Sequence, residues 1–434
     1  MLKSRNILEV LVNIVIDNLI LWPFYYPIVY FMKEVRAGNK AKSNGLILLA
    51  LNADRFRGDL EVLSGAGFKV YILPYKWQTR VFYAYKDKDR NSELFLNPPF
   101  DSPLYKDRIR LRRYLSCILR LLINNKKIDC VISAGLFYNQ DFDWGWAARN
   151  IASPYVVFHR ENIIGSKYKK IHNIGKAKLL KKIGFVGTSI VFHNKGMKDV
   201  FDKYSGVDAD NIFALGALRM DEFIRKSNSR NNLVNNKRIT LFSFSPSSVI
   251  FSNLYSDDFG WHKLHYEVHT SFVELAIEYP EIEFVIKHKG VDWRVTEGLL
   301  RNMHAFKLNN LKIYGPSYDS QKLILESDVL TGFSSTAVLE AGITGKPVVY
   351  PLFSEASNID YKDFIYFSEN LSKMFDVAVS RNIYKQLIIK RYKNSAVSEL
   401  AMKYRRMEFE RNVSPLKANS LELYTNLLFE ITSR

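Results

Sequence analysis

Short, unbroken apolar runs recur along this chain, each followed by a polar turn and a stretch with helical spacing, and they constrain its fold more than any other feature. Residues 45–51 read GLILLAL, 129–135 DCVISAG, 154–160 PYVVFHR and 187–194 GTSIVFHN. A run that is apolar at every position suits a strand buried on both faces, whereas a half-exposed strand would alternate. Helical stretches at 58–66, 106–125, 143–151, 166–184 and 195–204 lie between these runs, with further strands at 70–74 and 211–218. Such alternation specifies a parallel sheet flanked by helices. Residues 222–237 (EFIRKSNSRNNLVNNK) are polar and aperiodic, and then the alternation restarts. Strands at 238–245, 282–289, 311–315, 328–333 and 346–351 are interleaved with helices at 265–279, 320–327 and 335–345. The organisation expected is an apolar N-terminal segment (1–44), a first domain (45–221), a linker (222–237), a second domain (238–368) and a helical extension (369–434), which the 434 residues accommodate.

Hydrophobic residues make up 47% and charged residues 24%, which excludes a disordered or fibrous chain. The 62 Lys and Arg exceed the 44 Asp and Glu by 18, and that excess favours an anionic partner. Seven lysines (Lys167, Lys169, Lys170, Lys176, Lys178, Lys181 and Lys182) occur together without an acid, a pattern suited to an anionic membrane surface or a phosphorylated carrier. No helix-turn-helix, zinc-finger or RNA-recognition signature accompanies the charge, so nucleic acid is not the expected partner. Cys117 and Cys130 sit in no metal or disulfide pattern, which fits a reducing cytoplasm. Residues 7–32 are apolar but interrupted by Glu9, Asn13, Asp17, Asn18, Pro23 and Pro27, so no spanning helix and no secretory signal is read there. Two readings fit this segment: a helix buried against the first domain, or an interfacial helix with Trp22, Tyr25, Tyr26 and Tyr30 at headgroup level beside Lys33, Arg36 and Lys40.

The stretch ESDVLTGFSSTAVLEAGITGKPVVYP, 326–351, carries the most chemistry. Its strand, hydroxyl turn and helix place Ser334, Ser335 and Thr336 outside the carboxyl end of a strand, where N–H groups and hydroxyls suit a phosphate. Glu340, four residues on, would accept from a ribose or base; alternatively the hydroxyls only cap the helix and Glu340 is solvated. In the first domain His159, Arg160 and Glu161 end a strand, with Glu161 as base, nucleophile or surface ion-pair partner. Asn52, Asp54, Arg55 and Arg57 form a polar loop after the first strand.

The 326–351 stretch resembles the nucleotide-binding motif of GT-B glycosyltransferases and their relatives, including CDP-glycerol glycerophosphotransferases, through Ser327, Asp328, Ser334, Ser335, Glu340, Gly345, Lys346 and Pro347. The resemblance implies a GT-B-like α/β fold: two Rossmann-like domains with parallel sheets facing across a cleft, and helical N- and C-terminal extensions. It also implies a nucleotide-sugar donor in the second domain and an acceptor in the first. GALRMDEF (216–223) looks like a segment that ends the first domain of surface-polysaccharide transferases, bringing Arg219 to substrate and Asp221 to catalysis or domain closure. FSFSPSS (242–248) would approach the donor phosphate through Ser245, Ser247 and Ser248. IKHKG (286–290) would complete the phosphate or sugar-acid contacts through Lys287 and His288, with His288 a further catalytic candidate, and it also carries Lys289. A weaker resemblance, to transferases using CMP-activated 3-deoxy-manno-octulosonic acid (Kdo), favours a CMP-sugar. UDP- and dTDP-sugars and a CDP-glycerol-type phosphotransferase stay open, as does a non-catalytic binding protein on the same fold. The acceptor implied is lipid-linked or an oligosaccharide of lipopolysaccharide, capsule or O-antigen, met by an enzyme peripheral to a bacterial inner membrane. No metal is implied: His262, His265 and His269 have ligand spacing but no HExxH, and solvated or outer-sphere roles are expected.

Overall fold

The structure, a computed structural model, describes residues 32–36, 45–56, 58–84, 96, 98–100, 102–161, 163–228, 236–247, 260–290 and 293–433. The apolar residues 7–31, Arg57 and Ser248 lie outside the described residues. The chain forms two compact units. The first gathers the described residues up to Glu161, then Asn173–Asp221 and the residues from Asn419; the second gathers Ile163–His172 and Glu222–Ala418.

Seven strands build the sheet of the first unit: β1 (Lys33–Glu34), β2 (Ile47–Leu51), β3 (Lys69–Ile72), β4 (Cys130–Ser133), β5 (Tyr155–Phe158), β6 (Ser189–Phe192) and β7 (Ile212–Ala214). Their order is β1-β3-β2-β4-β5-β6-β7. The pairs are parallel except that β1 runs antiparallel to β3, with Lys33 opposite Ile72. The apolar runs explain the sheet, since consecutive residues Leu48 to Leu51 and Cys130 to Ile132 are buried whichever face they take. The strand order reverses between β2 and β4, which makes a topological switch point.

Six parallel strands build the second unit: β8 (Arg238–Phe242), β9 (Glu283–Lys287), β10 (Leu311–Tyr314), β11 (Val329–Gly332), β12 (Val348–Pro351) and β13 (Asp376–Ala378). Their order is β10-β9-β8-β11-β12-β13, with the switch point between β8 and β11. Gly332 ends β11 there, and a Cβ on it would press within 3.2 Å of Phe242. Among the described residues no helix is long and apolar enough to cross a membrane.

The structure departs from the expected organisation at two places. The 222–237 stretch is in part helix, Met220–Asn228, because Phe223 and Ile224 are buried among its polar neighbours. The expected C-terminal extension is divided. Helices Arg381–Lys393 and Glu399–Asn412 belong to the second unit, with β13 before them. Helix Ser420–Ser433 instead returns to the first, where Tyr424, Leu427, Leu428 and Ile431 join Leu48, Leu60 and Phe158 in one core. Its apolar residues recur every three or four positions, the stripe a helix needs to complete a core.

One buried cation organises the second unit. Arg405, 1% exposed, donates from Nε to the Met374 carbonyl at 2.7 Å and from a terminal nitrogen to the Lys346 carbonyl at 2.8 Å and the Gly342 carbonyl at 3.4 Å. It thereby holds the carboxyl end of the Thr336–Gly342 helix and the turn into β12. Burial pulls its pKa down to about 10, so it stays a cation at neutral pH. Arg405→Met strands buried carbonyls and should cost on the order of 3 kcal/mol in urea unfolding. Lys should rescue little, because an ammonium lacks the planar fork.

Candidate functional site

Both switch points concentrate polar groups at strand ends, and each unit is built differently. In the second unit β8 leads into Ser243, Phe244 and Ser245. Ser243 donates its N–H to the Lys287 carbonyl at 2.9 Å. His269 Nδ1 lies 2.7 Å from the His265 carbonyl, which can only accept; Nε2 is therefore the acceptor, and Ser243 Oγ donates to it at 2.9 Å. His265 Nε2 meets Thr296 Oγ1 at 3.0 Å, and the Phe244 ring packs on both imidazoles and on Phe333. Burial pushes both histidines down, His269 to about 4, so both are neutral. His265 and His269 are core groups that pin the loop after β8, so of the three histidines only His262 is the exposed residue expected. Among the described residues no three His, Cys, Asp or Glu side chains are grouped to hold a metal. Further along the loop, Ser245 Oγ donates to the Ser247 carbonyl, and Ser247 pairs with Gly260.

The hydroxyl turn after β11 is committed internally. Ser334 has a left-handed backbone, φ 43°. Its N–H donates to Tyr350 Oη at 3.2 Å, and its Oγ accepts from the Tyr366 N–H at 3.3 Å. Ser335 caps the next helix, accepting from the Ala337 N–H at 3.3 Å, and also takes a bond from Lys289 Nζ at 3.0 Å. The capping reading thus describes Ser335, while Ser334 is held by Tyr350 and Tyr366. Glu340 is 9% exposed, in a helix buried from Ala337 to Gly342, so it is not the solvated carboxylate of the capping alternative. Thr336 is half-buried, and Lys289 is exposed beside the turn.

Lys287 is likewise committed within the unit. Lys287 is buried and donates to the Gly315 carbonyl at 2.8 Å and the His288 carbonyl at 3.2 Å, so it ties the ends of β9 and β10 together. Burial lowers its pKa. His288 stacks on Trp293, centroids 3.8 Å apart, and its Nδ1 accepts from the Gly290 N–H at 3.2 Å. Lys289, two residues past the strand's last inward lysine, is the cation that reaches the hydroxyl turn.

In the first unit Asn52 follows β2 in the left-handed region, φ 53°. It is buried, and its N–H donates to Gln78 Oε1 at 3.1 Å. Gln78 Nε2 donates to Asp141 Oδ1, Ser133 Oγ donates to Asp141 Oδ2 at 3.1 Å, and Tyr155 Oη donates to the Asp141 carbonyl at 3.2 Å. Burial lifts the Asp141 carboxyl to about 7, against bonds from Ser133, Gln78 and Asn52 and the charge of Arg55. None of this network stood out in the sequence except Asn52.

At the rim, Asp54 and Arg55 are exposed, and Arg55 lies over the Tyr138 ring at 5.3 Å. Tyr138 Oη donates to Glu161 Oε1 at 3.5 Å, and Lys176 Nζ pairs with Glu161 Oε2 at 3.0 Å. Glu161 is itself exposed. Arg55 and Glu161 are thus brought together through one phenol. His159, by contrast, is buried, accepts at Nδ1 from the Leu136 N–H at 3.4 Å, and is pushed by burial to about 4. Arg160 pairs with buried Asp59, which also accepts the Arg219 N–H at 3.1 Å and faces the Arg219 guanidinium at 3.8 Å. Asp221 is buried and accepts the Leu421 N–H at 3.0 Å, anchoring the last helix. His159, Arg160 and Asp221 therefore hold the unit together. The lysine run is also broken up: Lys167 pairs with Asp363 at 2.8 Å and Lys176 with Glu161, while Lys170, Lys178, Lys181 and Lys182 are exposed.

No protein-family model matches the sequence, and no curated protein matches it. Among solved structures the chain is similar to a putative UDP-N-acetylglucosamine 2-epimerase from Listeria monocytogenes, at 13% identity and TM-score 0.51, over 90% of this chain and 97% of that one. The chain has the GT-B fold. It is also similar to UDP-GlcNAc 2-epimerase from Neisseria meningitidis bound to UDP-GlcNAc, at 13% identity and TM-score 0.47, over 88% and 99%. A glycosyltransferase from Rickettsia africae ESF-5 aligns at 14% identity and TM-score 0.45, over 89% and 99%. At such identities the likeness is one of fold.

The Asp141 network has a pH signature. A carboxyl raised from 3.8 to about 7 holds its proton more tightly folded than unfolded, so stability should fall as pH rises through that window and level off above it. Asp141→Asn should flatten the decline in urea melts taken from about pH 4 to roughly pH 8.

Proposed function

We propose that this chain is a glycosyltransferase that binds a nucleotide-sugar donor, a UDP-sugar, at the switch point of its second unit. One observation carries the reading: the pinned loop Ser243–Ser247, the left-handed Ser334 turn and the exposed Lys289 flank the ends of β8 and β11, where α/β sheets take ligands. Lys289 is exposed and already donates to the hydroxyl turn at Ser335, which makes it the cation that a diphosphate at this turn would meet. Backbone N–H groups at the Thr336 turn would add to it. UDP is favoured because the Listeria protein that shares the fold is named for a UDP-sugar. The CMP-sugar and Kdo expected from the sequence have no such support. Ser245, Ser247 and Thr336 remain candidates for the donor side, and Asp54, Arg55 and Arg219 for the acceptor side.

Glu161 is the carboxylate proposed to deprotonate the acceptor hydroxyl. It is exposed at the end of β5 and pairs with Lys176 at 3.0 Å, within reach of a bound hydroxyl. The acceptor class is a lipid-linked or oligosaccharide precursor of a bacterial surface polysaccharide, which places the enzyme at a membrane surface. A second reading, epimerisation of the UDP-sugar itself, is favoured by the same Listeria name.

A thermal-shift panel of UDP, CMP, CDP, dTDP and GDP tests the donor. UDP near 100 times its Kd should stabilise by about 2.7 kcal/mol and raise the midpoint by roughly 5–10 °C. Lys289→Ala should reduce UDP affinity about tenfold by calorimetry; a larger response to CMP restores the CMP-sugar reading. Glu161→Gln should lower transfer about 100- to 10,000-fold while leaving UDP affinity unchanged. Incubation of UDP-GlcNAc without acceptor separates the two reactions, since only an epimerase accumulates the 2-epimer. Nucleotide binding with neither reaction would mark a non-catalytic binder.

A further inference from the structure

The Pro103–Lys126 helix of the first unit distributes its cations in two ways. Arg108 and Arg112 point inward and share Asp143 at 2.7 and 2.8 Å. Lys106, Arg110, Arg113 and Arg120 point outward and are exposed. Steps of four, three and seven residues put these four on one stripe, about 21 Å long at 1.5 Å per residue. Asp107 is the single acid in the helix sequence; it meets Arg110 at 3.5 Å, and no ion pair among the described residues holds Lys106, Arg113 or Arg120. Just before the helix, Phe100 is 76% exposed, its ring 5.1 Å from that of Tyr105.

The helix leads back to the start of β4, so its Pro103 end lies toward the carboxyl ends of the strands. The described chain enters β1 at that same end, with Lys33 opposite Ile72, the last residue of β3. The sequence before it, residues 7–31, is the apolar stretch containing Trp22, Tyr25, Tyr26 and Tyr30. Lys126, at the other end of the helix, lies 5.5 Å from the Tyr71 ring of β3, so the helix runs along this edge of the sheet.

We propose that this face docks on an anionic lipid surface, with the four cations among headgroup phosphates and Phe100 at the acyl boundary. The inference rests on the reading of a membrane-borne acceptor and names the surface that would meet it. Charge alone would serve nucleic acid equally; the exposed Phe100 beside Tyr105 favours lipid, because an exposed aromatic ring is stabilised at a bilayer interface.

Flotation of the full-length protein tests this with vesicles of phosphatidylcholine alone or with about one-third phosphatidylglycerol. The protein should float with the anionic vesicles, and salt should weaken the binding. Replacing Lys106, Arg113 and Arg120 together by Ala should lower the partition coefficient about a hundredfold, and Phe100→Ser should lower it further. All four positions are exposed, so the melting midpoint and the UDP-induced shift should not change. Cys117 lies between Arg113 and Arg120 on the same stripe and Cys130 is buried, so anionic vesicles should slow alkylation of Cys117. Flotation of the triple variant like wild type, equal binding to neutral vesicles, or unslowed alkylation overturns the assignment. Duplex DNA that displaces the protein from vesicles through the same three residues reassigns the face to nucleic acid. A missing UDP shift with flotation as stated would instead sink the transferase reading and leave the docking face standing.

Discussion

A parallel sheet covered on both faces leaves its middle unavailable for chemistry. The central strands β2, β4, β5 and β12 are largely apolar and buried, so side chains free for chemistry must collect at strand ends. The reversal of strand order then opens one gap per sheet, and both gaps are braced from below by buried polar groups. In the first unit the brace is an amide, a hydroxyl and a carboxyl, Gln78, Ser133 and Asp141. In the second it is an imidazole and a phenol, His269 and Tyr350. Each brace holds a non-glycine residue in the left-handed region, Asn52 after β2 and Ser334 after β11. A left-handed L-residue costs roughly 1–2 kcal/mol, and the hydrogen bonds to Gln78 and Tyr350 offset it. The two loops are therefore shaped before any ligand arrives.

The strands were readable because burial on both faces writes itself into consecutive residues. GLILLAL, VVF and VVYP need no partner information to be recognised. Side-chain roles were not readable, because they depend on what a fold brings from far away in sequence. Lys287 and Lys289 look equivalent in IKHKG, yet one is spent on the Gly315 carbonyl and the other reaches Ser335. Arg160 gives no hint that Asp59, 101 positions earlier, will claim it. The paired histidines of WHKLHYEVH looked polar, and their burial came from the aromatic cluster of Phe244 and Phe333. Short elements were missed for a different reason: β1 and β13, two and three residues long, are too brief for any periodicity to register.

Net charge misled in the same way. The excess of 18 positive charges is a property of the whole chain, but the inward cations are answered individually. Arg108 and Arg112 share Asp143, Arg160 and Arg219 share Asp59, and Arg405 is satisfied by carbonyls. A lysine-rich segment without acids of its own finds them on Asp363 and Glu161. The field that a partner meets is set by the cations that stay exposed after this pairing, and a sum over the sequence does not locate them.

The helix Ser420–Ser433 completes a core begun near residue 47, more than 350 positions earlier. On a ribosome adding roughly 5–20 residues per second, the first unit waits about 10–40 s while the second is made. During that interval Leu48, Leu60 and Phe158 lack the cover of Tyr424, Leu427 and Leu428. The first unit therefore closes after the second has been made, and a nascent chain exposes this apolar surface until the Ser420–Ser433 helix has formed.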